Sequence, residues 1–379
     1  MFSENERKRR LDAAAQLIKD EGLEAIYLIG NGTVGTNSFG CFRYFTDNRV
    51  FFYLSSAVIT PDGNIIGVVN NQMGRLNLIR SSFVREAIIN SDQVDGVVEI
   101  LKAHGITKGR LGVFFEVLPS AWMHRLQTAM PELELVDVSE QVFALRTQKS
   151  AEEIEAQRIC GKIADAGYKA LCEAAKPGVR ENEVVAAVDR TMQKLGMEES
   201  FMLITSGRFS AEKHGLPTLH NTASINRVIE AGDSVAMEIT PRYRGYWTQI
   251  VRTISVGEPN ADLDEFRRVI VGAIDAAKTI LKAGVPVGDV VKKMRQYIEG
   301  GGYRLSMPCG HIAAIDLNAE RLVEDNTRPL TPGMLVIIHP TVLNDKLSSG
   351  IFWGESYLIT EEGYEAVMES PSELHISQA

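Results

Sequence analysis

The first 147 residues alternate apolar stripes of helical spacing with short β-branched runs. Lys8 to Glu21 places Leu11, Ala14, Ala15, Leu17 and Ile18 on one side and stops at Gly22, the pattern of an amphipathic helix. Ala25 to Ile29, Phe51 to Ile59 and Ile65 to Val69 predict strands, the last two joined by the turn Pro61-Asp62-Gly63. A helix over Asp95 to His104 and a strand over Arg110 to Phe115 follow. Residues 1–147 thus predict an α/β domain with no chemical motif of its own.

Residues 148–379 predict a second, larger domain, which makes the chain α+β with two domains. Ser150-Ala-Glu-Glu153 is a capping box that opens a long helix through Ala174, and Asn182 to Lys194 predicts another. Strands are expected over Ser234 to Thr240 and Tyr246 to Val256, joined by Pro241-Arg-Tyr-Arg-Gly245. The order then recurs: helices over Asp262 to Leu281 and Val287 to Glu299, strands over Met334 to Val342 and Phe352 to Thr360. The joints match too. Lys176-Pro-Gly-Val179 answers to Lys282-Ala-Gly-Val285, and Ala231-Gly-Asp-Ser-Val-Ala-Met-Glu238 to Pro332-Gly-Met-Leu-Val-Ile-Ile-His339. An internal repeat of roughly a hundred residues accounts for these matches. It sets Glu238 and His339 at equivalent places, each near the end of an apolar strand, where a polar group needs a partner. A polar hollow between two facing hairpins follows.

The chain carries 49 acidic and 40 basic side chains, a net charge of −9, with the basic ones scattered. That balance argues against a nucleic-acid footprint, and no apolar run approaches a membrane span. The polar start, Met1 to Arg10, predicts no secretory leader. Cys41, Cys160, Cys172 and Cys309 form no CxxC pair, so reduced thiols in a cytoplasmic protein are expected. Cys309 reads as a small buried thiol, and Trp247 and Trp353 as packing on the hairpins. Among the histidines, His104, His124 and His375 read as solvated or terminal. His214 and His220 flank Gly215-Leu-Pro-Thr-Leu219, and His311 falls in a polar bend, Pro308-Cys-Gly-His311. His220, His311, His339 and Glu238 are expected to converge on the hollow.

Gly232-Asp-Ser-Val-Ala-Met-Glu238, Tyr243-Arg-Gly-Tyr246, Val251-Arg-Thr253, Gly310-His311, Pro332-Gly-Met334 and Ile359-Thr-Glu-Glu-Gly363 carry a resemblance. In this order they resemble the pita-bread family of prolidase, aminopeptidase P, methionine aminopeptidase and creatinase. The likeness begins at the connector Arg146-Thr-Gln-Lys-Ser-Ala-Glu-Glu153 and implies a pita-bread second domain with a pseudo-twofold repeat. The first domain is similar to the creatinase/prolidase amino-terminal domain in general character. Metal-dependent members hold two divalent ions with two aspartates, a histidine and two glutamates. The corresponding positions here are Glu238, Gln249, His311, His339 and Gly354, the last beside Glu355. Gln249 and Gly354 supply no bridging anion, so a two-ion peptidase is not expected.

Creatinase is the metal-free member that the chain resembles in character. The resemblance implies a metal-independent hydrolase of a small non-peptide C–N bond, with His220 as general acid and base. Glu238 would orient a histidine or hold a cationic group; His311 and His339 would polarise a carbonyl or hold an anion. The acids that grip a guanidinium in creatinase fall on Val251 and His339, so a substrate bearing a carboxylate is expected in place of creatine. Gln249, Arg252, Arg321 and Glu355 are the further binding candidates. The resemblance also implies a homodimer, in which Phe42 and Arg43 of Phe39-Gly-Cys-Phe-Arg-Tyr-Phe45 help close the partner's pocket. No cofactor is expected. Two alternatives stand beside this reading: a single divalent metal on Glu238, His311, His339 and Glu355, serving an Xaa-Pro-peptidase-like hydrolysis or an elimination, and a binding protein that has lost catalysis.

Overall fold

Two units make up the computed structural model, Met1–Glu152 and Glu153–Ala379; it describes residues 2–31, 36, 40–50, 54–210, 215–222, 225–259 and 261–378. The first unit contains helices α1 (Glu4–Asp20), α2 (Gly40–Thr46), α3 (Gln72–Ser81), α4 (Gln93–Ala103), α5 (Ser120–Ala129) and α6 (Ser139–Thr147). Its strands are β1 (Ala25–Asn31), β2 (Leu54–Ile59), β3 (Ile65–Val69), β4 (Glu86–Ile89), β5 (Gly109–Val113) and β6 (Leu133–Asp137). They form one sheet in the order β4-β3-β2-β1-β5-β6, antiparallel through β1, β2 and β3 and parallel elsewhere. The run expected to begin at Phe51 is described from Leu54, because 51–53 lie outside the described residues. Helix α3 buries none of its side chains, so it leaves no apolar stripe to read.

The second unit carries α7 (Ala151–Ala174), α8 (Glu181–Lys194), α9 (Ala261–Lys278) and α10 (Val287–Gly300). Its first sheet comprises β7 (Glu199–Gly207), β8 (Ser234–Tyr243), β9 (Tyr246–Trp247) and β10 (Ile250–Val256). The other strands are β11 (Arg304–Ser306), β12 (Gly310–Ala313), β13 (Glu320–Arg321), β14 (Leu335–Ile338), β15 (Thr341–Leu343), β16 (Gly350–Phe352), β17 (Glu355–Ile359), β18 (Tyr364–Ala366) and β19 (Ile376–Ser377). The sheets run β19-β10-β8-β7, with β9 on β8; β11-β15-β16; and β13-β12-β14-β17-β18. The tail around His375 is ordered: its carbonyl accepts the Ser255 N–H at 2.9 Å, and β19 pairs with β10.

The repeat extends to individual hydrogen bonds. Gly178 and Gly284, after the two long helices, both sit in the left-handed region, at φ 86° and 83°. Each donates its N–H at 2.9 Å to the chain ahead of a later strand, Gly178 to Ile229 O and Gly284 to Leu330 O. Gly232 and Gly333 match likewise, at φ 83° and 84°. They donate to Val256 O at 2.7 Å and to Ile359 O at 2.9 Å. Strands β7-β8-β10 of one half thus answer to β12-β14-β17 of the other.

The two half-sheets meet where β10 runs against the entry to β17. Val251 and Gly354 exchange backbone hydrogen bonds of 3.0 and 2.9 Å. Thr253 Oγ1 donates to Phe352 O, and Ser356 Oγ to Gln249 O, both at 2.7 Å. Arg252 crosses the same line, completely buried. Its Nη1 donates to Gly354 O at 2.8 Å and Val251 O at 3.1 Å; its Nη2 donates to Glu355 Oε1 at 2.8 Å. The guanidinium lies 4.5 Å from the Trp353 ring centroid and 5.7 Å from that of Tyr168. Arg252 is therefore committed to the seam, which corrects the expectation that it binds substrate. Replacing Arg252 with Met strands the buried end of Glu355 and two carbonyls. Chemical denaturation of that variant should show a loss of about 3 kcal/mol or more; wild-type stability would show that the ion pair does not hold the seam.

Candidate active site

Strand register decides which side chains meet. In β8, Glu238 stands opposite Leu203 of β7 and Val251 of β10. Met237, Ile239, Ile250 and Ile254 take the other face and pack with apolar residues of α7 and α8. Glu238 is interior to β8, which runs on to Tyr243, and so does not end its strand as the sequence pattern suggests. His311 is also a strand residue, inside β12 and opposite Ile337 of β14, not in a bend. Ile312, Val336 and Ile338 alternate towards the core formed with α9 and α10. His339, one residue past β14, returns to the face of His311.

Gln249 joins the two halves chemically. Its Oε1 lies 3.2 Å from His311 Nε2, an arrangement in which an Nε2–H tautomer of His311 would donate to the amide oxygen. The amide's Nε2 faces Glu238 without reaching full hydrogen-bond geometry, so it lowers the carboxyl's pKa only in part. Burial dominates there and pushes Glu238 up to about 7. The His311 and His339 rings meet edge-to-face with centroids 5.1 Å apart, and His339 meets Phe352 in the same way at 5.4 Å. Burial pulls His311 down to about 3, with His339 adding to the shift, and pulls His339 down to about 4. Both imidazoles are therefore neutral near pH 7. Neither ring nitrogen of His339 has a hydrogen-bond partner among the described residues.

Four expected members stand elsewhere. His220 bridges to Ile204 of β7, and Ile204 is opposite Met237, so register puts His220 on the helix-facing side, away from Glu238. There its Nε2 lies 3.4 Å from Glu181 Oε2. Glu181, at the start of α8 and fully buried, also accepts from Ser206 Oγ at 2.7 Å and Arg227 N at 3.1 Å. Glu181 could have been read only as an acid in a first helical turn; nothing in the sequence couples it to His220. Glu355 turns to Arg252 and to the Tyr357 hydroxyl, which removes it from the ligand set. Phe42 and Arg43, expected at a partner's pocket, are 3% and 9% exposed. Phe42 packs on Gly30, where a Cβ would come within 2.6 Å of its ring, and Arg43 Nε lies 3.8 Å from Asp47 Oδ1. Arg321 does flank the site: on β13 it is exposed and opposite His311, so their side chains share a face. Cys309, Trp247 and Trp353 are buried, and all four cysteines are free. His214 lies outside the described residues.

Comparison with known proteins fits this architecture. Residues 155–361 match metallopeptidase family M24, and residues 10–148 match the Creatinase/Prolidase N-terminal domain. The chain is 30% identical over 250 residues to a Bacillus subtilis (strain 168) protein named uncharacterized peptidase YqhT, covering 65% of this chain and 69% of that one. It is 25% identical over 401 residues to creatinase of Bacillus sp. (strain B-0618), covering 98% and 92%. The structure of an Xaa-Pro dipeptidase from Bacillus anthracis superposes with a TM-score of 0.82 at 25% identity, covering 98% of this chain and 99% of that one. The match to the family extends over more than half of the sequence: this chain belongs to metallopeptidase family M24, a family of pita-bread hydrolases.

The residues at the family's metal positions do not fit a two-ion centre. A bridged pair needs anionic oxygens, and Gln249 offers a neutral amide already held by His311. Position 354 cannot regain a carboxylate on this backbone, because a Cβ there would collide with His339 Cβ and lie 2.7 Å from Ile338 O. Among the described residues no three His, Cys, Asp or Glu side chains are grouped to hold an ion. Among them, too, no helix is long and apolar enough to cross a membrane.

The buried rings make stability acid-sensitive with a definite sign. His311 and His339 titrate below their ordinary 6.5, so their contribution is complete above pH 6.5 and falls as pH drops towards 4. Glu238, raised from 4.5 to about 7, acts oppositely: its contribution is complete below 4.5 and is lost as pH rises through 7. Two rings outweigh one carboxyl between those limits. The fall in melting temperature from pH 7 to pH 5 should be smaller in His339→Gln than in the wild type, and larger in Glu238→Gln. Identical pH profiles for all three proteins would refute the assignment of neutral rings and a protonatable acid.

Proposed function

We propose that this M24 chain hydrolyses the C–N bond of a small amide that carries a carboxylate, using proton transfer by Glu238 in place of metal-bound water. The observation that carries this reading is the continuous row Glu238, Gln249, His311 and His339, set by strand register across the seam of the two half-sheets. In the ionised form Glu238 takes a proton from water as the water oxygen attacks the carbonyl carbon. The protonated carboxyl then delivers that proton to the leaving nitrogen as the C–N bond breaks. A carboxyl titrating at about 7 suits both halves of this cycle. The neutral imidazole N–H of His339 would stabilise the developing oxyanion, while His311 holds Gln249 in position. Arg321, exposed beside His311 and with no side-chain partner among the described residues, is the cation for the substrate's carboxylate.

This reading replaces His220 with Glu238 as acid and base, because register puts His220 on the other face of the sheet. The names of the relatives support an amide over a guanidino compound: peptidases and Xaa-Pro dipeptidases stand beside creatinase. Xaa-Pro dipeptides are therefore the first substrates to assay, ahead of creatine. The second reading is a single divalent ion that would draw Glu238, His311 and His339 together on binding, favoured by the family's metallopeptidase chemistry. The four free cysteines support a cytoplasmic setting, and a homodimer is part of the proposal.

With a substrate found by screening dipeptides and small amides, Glu238→Gln should lower kcat by about a hundredfold or more. His220→Gln should change it far less. Wild-type turnover in Glu238→Gln would overturn the acid–base assignment. Stoichiometric metal in the purified protein, with activity lost on chelation and restored by that metal, would establish the second reading in its place.

A further inference from the structure

Where β7 ends and the chain leads on towards β8, the second unit holds a cavity of about 540 Å³. Pockets for small molecules start at roughly 300 Å³, so the space admits one. Its wall includes Arg208 and Leu216 after β7, and Arg227, Glu230 and Asp233 ahead of β8. None of Glu238, Gln249, His311 and His339 borders it.

The charged side chains on this wall cancel in sum, but they are not equally engaged. Arg227 grips Asp233 through both Nη1 and Nη2, and Asp233, fully buried, also accepts Glu230 N at 2.7 Å. That pair is complete. The Glu230 side chain is 69% exposed, and its Oε2 reaches Arg227 Nη2 only at 3.5 Å, a contact that contributes little in water. Arg208 is exposed too, and its one hydrogen bond among the described residues is long, 3.5 Å from Nη2 to Ala231 O. A Cβ on Gly232 would stand 3.6, 3.8 and 3.9 Å from Nη2, Cζ and Nε of Arg208. The guanidinium therefore lies along the backbone of 231–232, next to residue 230 in the chain, with no carboxylate in ion-pair contact among the described residues.

One underused cation and one underused anion thus border the same space. An ion of either sign gains one partner there and is repelled by the other group; a dipolar molecule gains both. The complement is small, with a carboxylate and an ammonium close together. Leu216, 40% exposed, adds apolar surface to the wall. We propose that this cavity binds a free α-amino acid with an apolar side chain: Arg208 takes the carboxylate, Glu230 the ammonium and Leu216 the side chain. The site goes beyond the hydrolase reading and stands without it.

L-Leucine, isocaproate and isoamylamine share one side chain and carry both charges, the negative alone and the positive alone. Their binding to the full chain can be followed by saturation-transfer NMR of the ligand methyl groups, with no need of turnover. Leucine should titrate to a plateau with a Kd on the order of 1 mM. Isocaproate and isoamylamine should each bind about tenfold more weakly or worse, for want of one charge-assisted contact. Arg208→Gln and Glu230→Gln alter exposed side chains; each should weaken leucine by a similar factor at an unchanged melting temperature. Arg321→Gln, at the proposed active site, should leave leucine binding as it is. Isocaproate or isoamylamine binding as tightly as leucine would reduce the cavity to a site for a single charge and overturn the proposal. So would leucine binding that survives Arg208→Gln or Glu230→Gln, binding lost in Arg321→Gln, or no plateau up to the solubility of leucine.

Discussion

The seam between β10 and β17 is the constraint on which the site depends. Each half-sheet alone presents only two of the four polar side chains, Glu238 and Gln249 from one and His311 and His339 from the other. The reciprocal Val251–Gly354 bonds fix the offset between the halves. A slip of one residue would turn every side chain on β10 to the opposite face. Arg252 guards against that slip, because its guanidinium fits only where Gly354 O and Glu355 arrive together. Its burial against Trp353 and Tyr168 excludes water, which would otherwise weaken the ion pair.

The five positions of the family's metal set act as a linked group in this chain. Glu238 without nearby cations is driven towards its neutral form. Gln249 fits beside it because an amide can face a carboxyl and accept from His311 at once; an aspartate there would add like charge in a buried space. His339 requires the bare backbone at Gly354. Restoring any one acid alone would therefore leave a buried charge without a counter-ion. The donor set holds together as a polar, largely uncharged surface, and its physics is that of hydrogen bonding in a low-dielectric space.

Much of the fold was legible because the repeat is written in residues with few conformational substitutes. Gly178 and Gly284, and Gly232 and Gly333, mark paired left-handed turns, and the apolar runs between them set the strands. The site was legible as to its members only where they share a strand face. Glu238, Gln249, His311 and His339 come together, but His311 was read in a bend because β12 is four residues long and follows Pro308 and Cys309. His220 was misplaced for a deeper reason. Its distance along the chain from Glu238 says nothing of which face it takes, and that is set by its bridge to Ile204. Glu355 failed by a single position: it neighbours Gly354, and strand alternation sends neighbours to opposite sides.

The separation of His220 from Glu238 gives the sheet two carboxyl–imidazole systems, one on each face, and their environments differ in kind. On the helix side, Glu181 accepts from Ser206 Oγ and Arg227 N–H, with the His220 ring 3.4 Å away, and Arg227 is itself bound to buried Asp233. Those contacts tie β7, α8 and the segment before β8 together, a structural use of a buried acid. On the seam side, Glu238 has no cation and only a loosely placed amide, so its two protonation states lie close in free energy near neutral pH. The same pair of residue types therefore braces the fold on one face and, in the proposed mechanism, serves proton transfer on the other, and the difference comes from partners that strand register supplies or withholds.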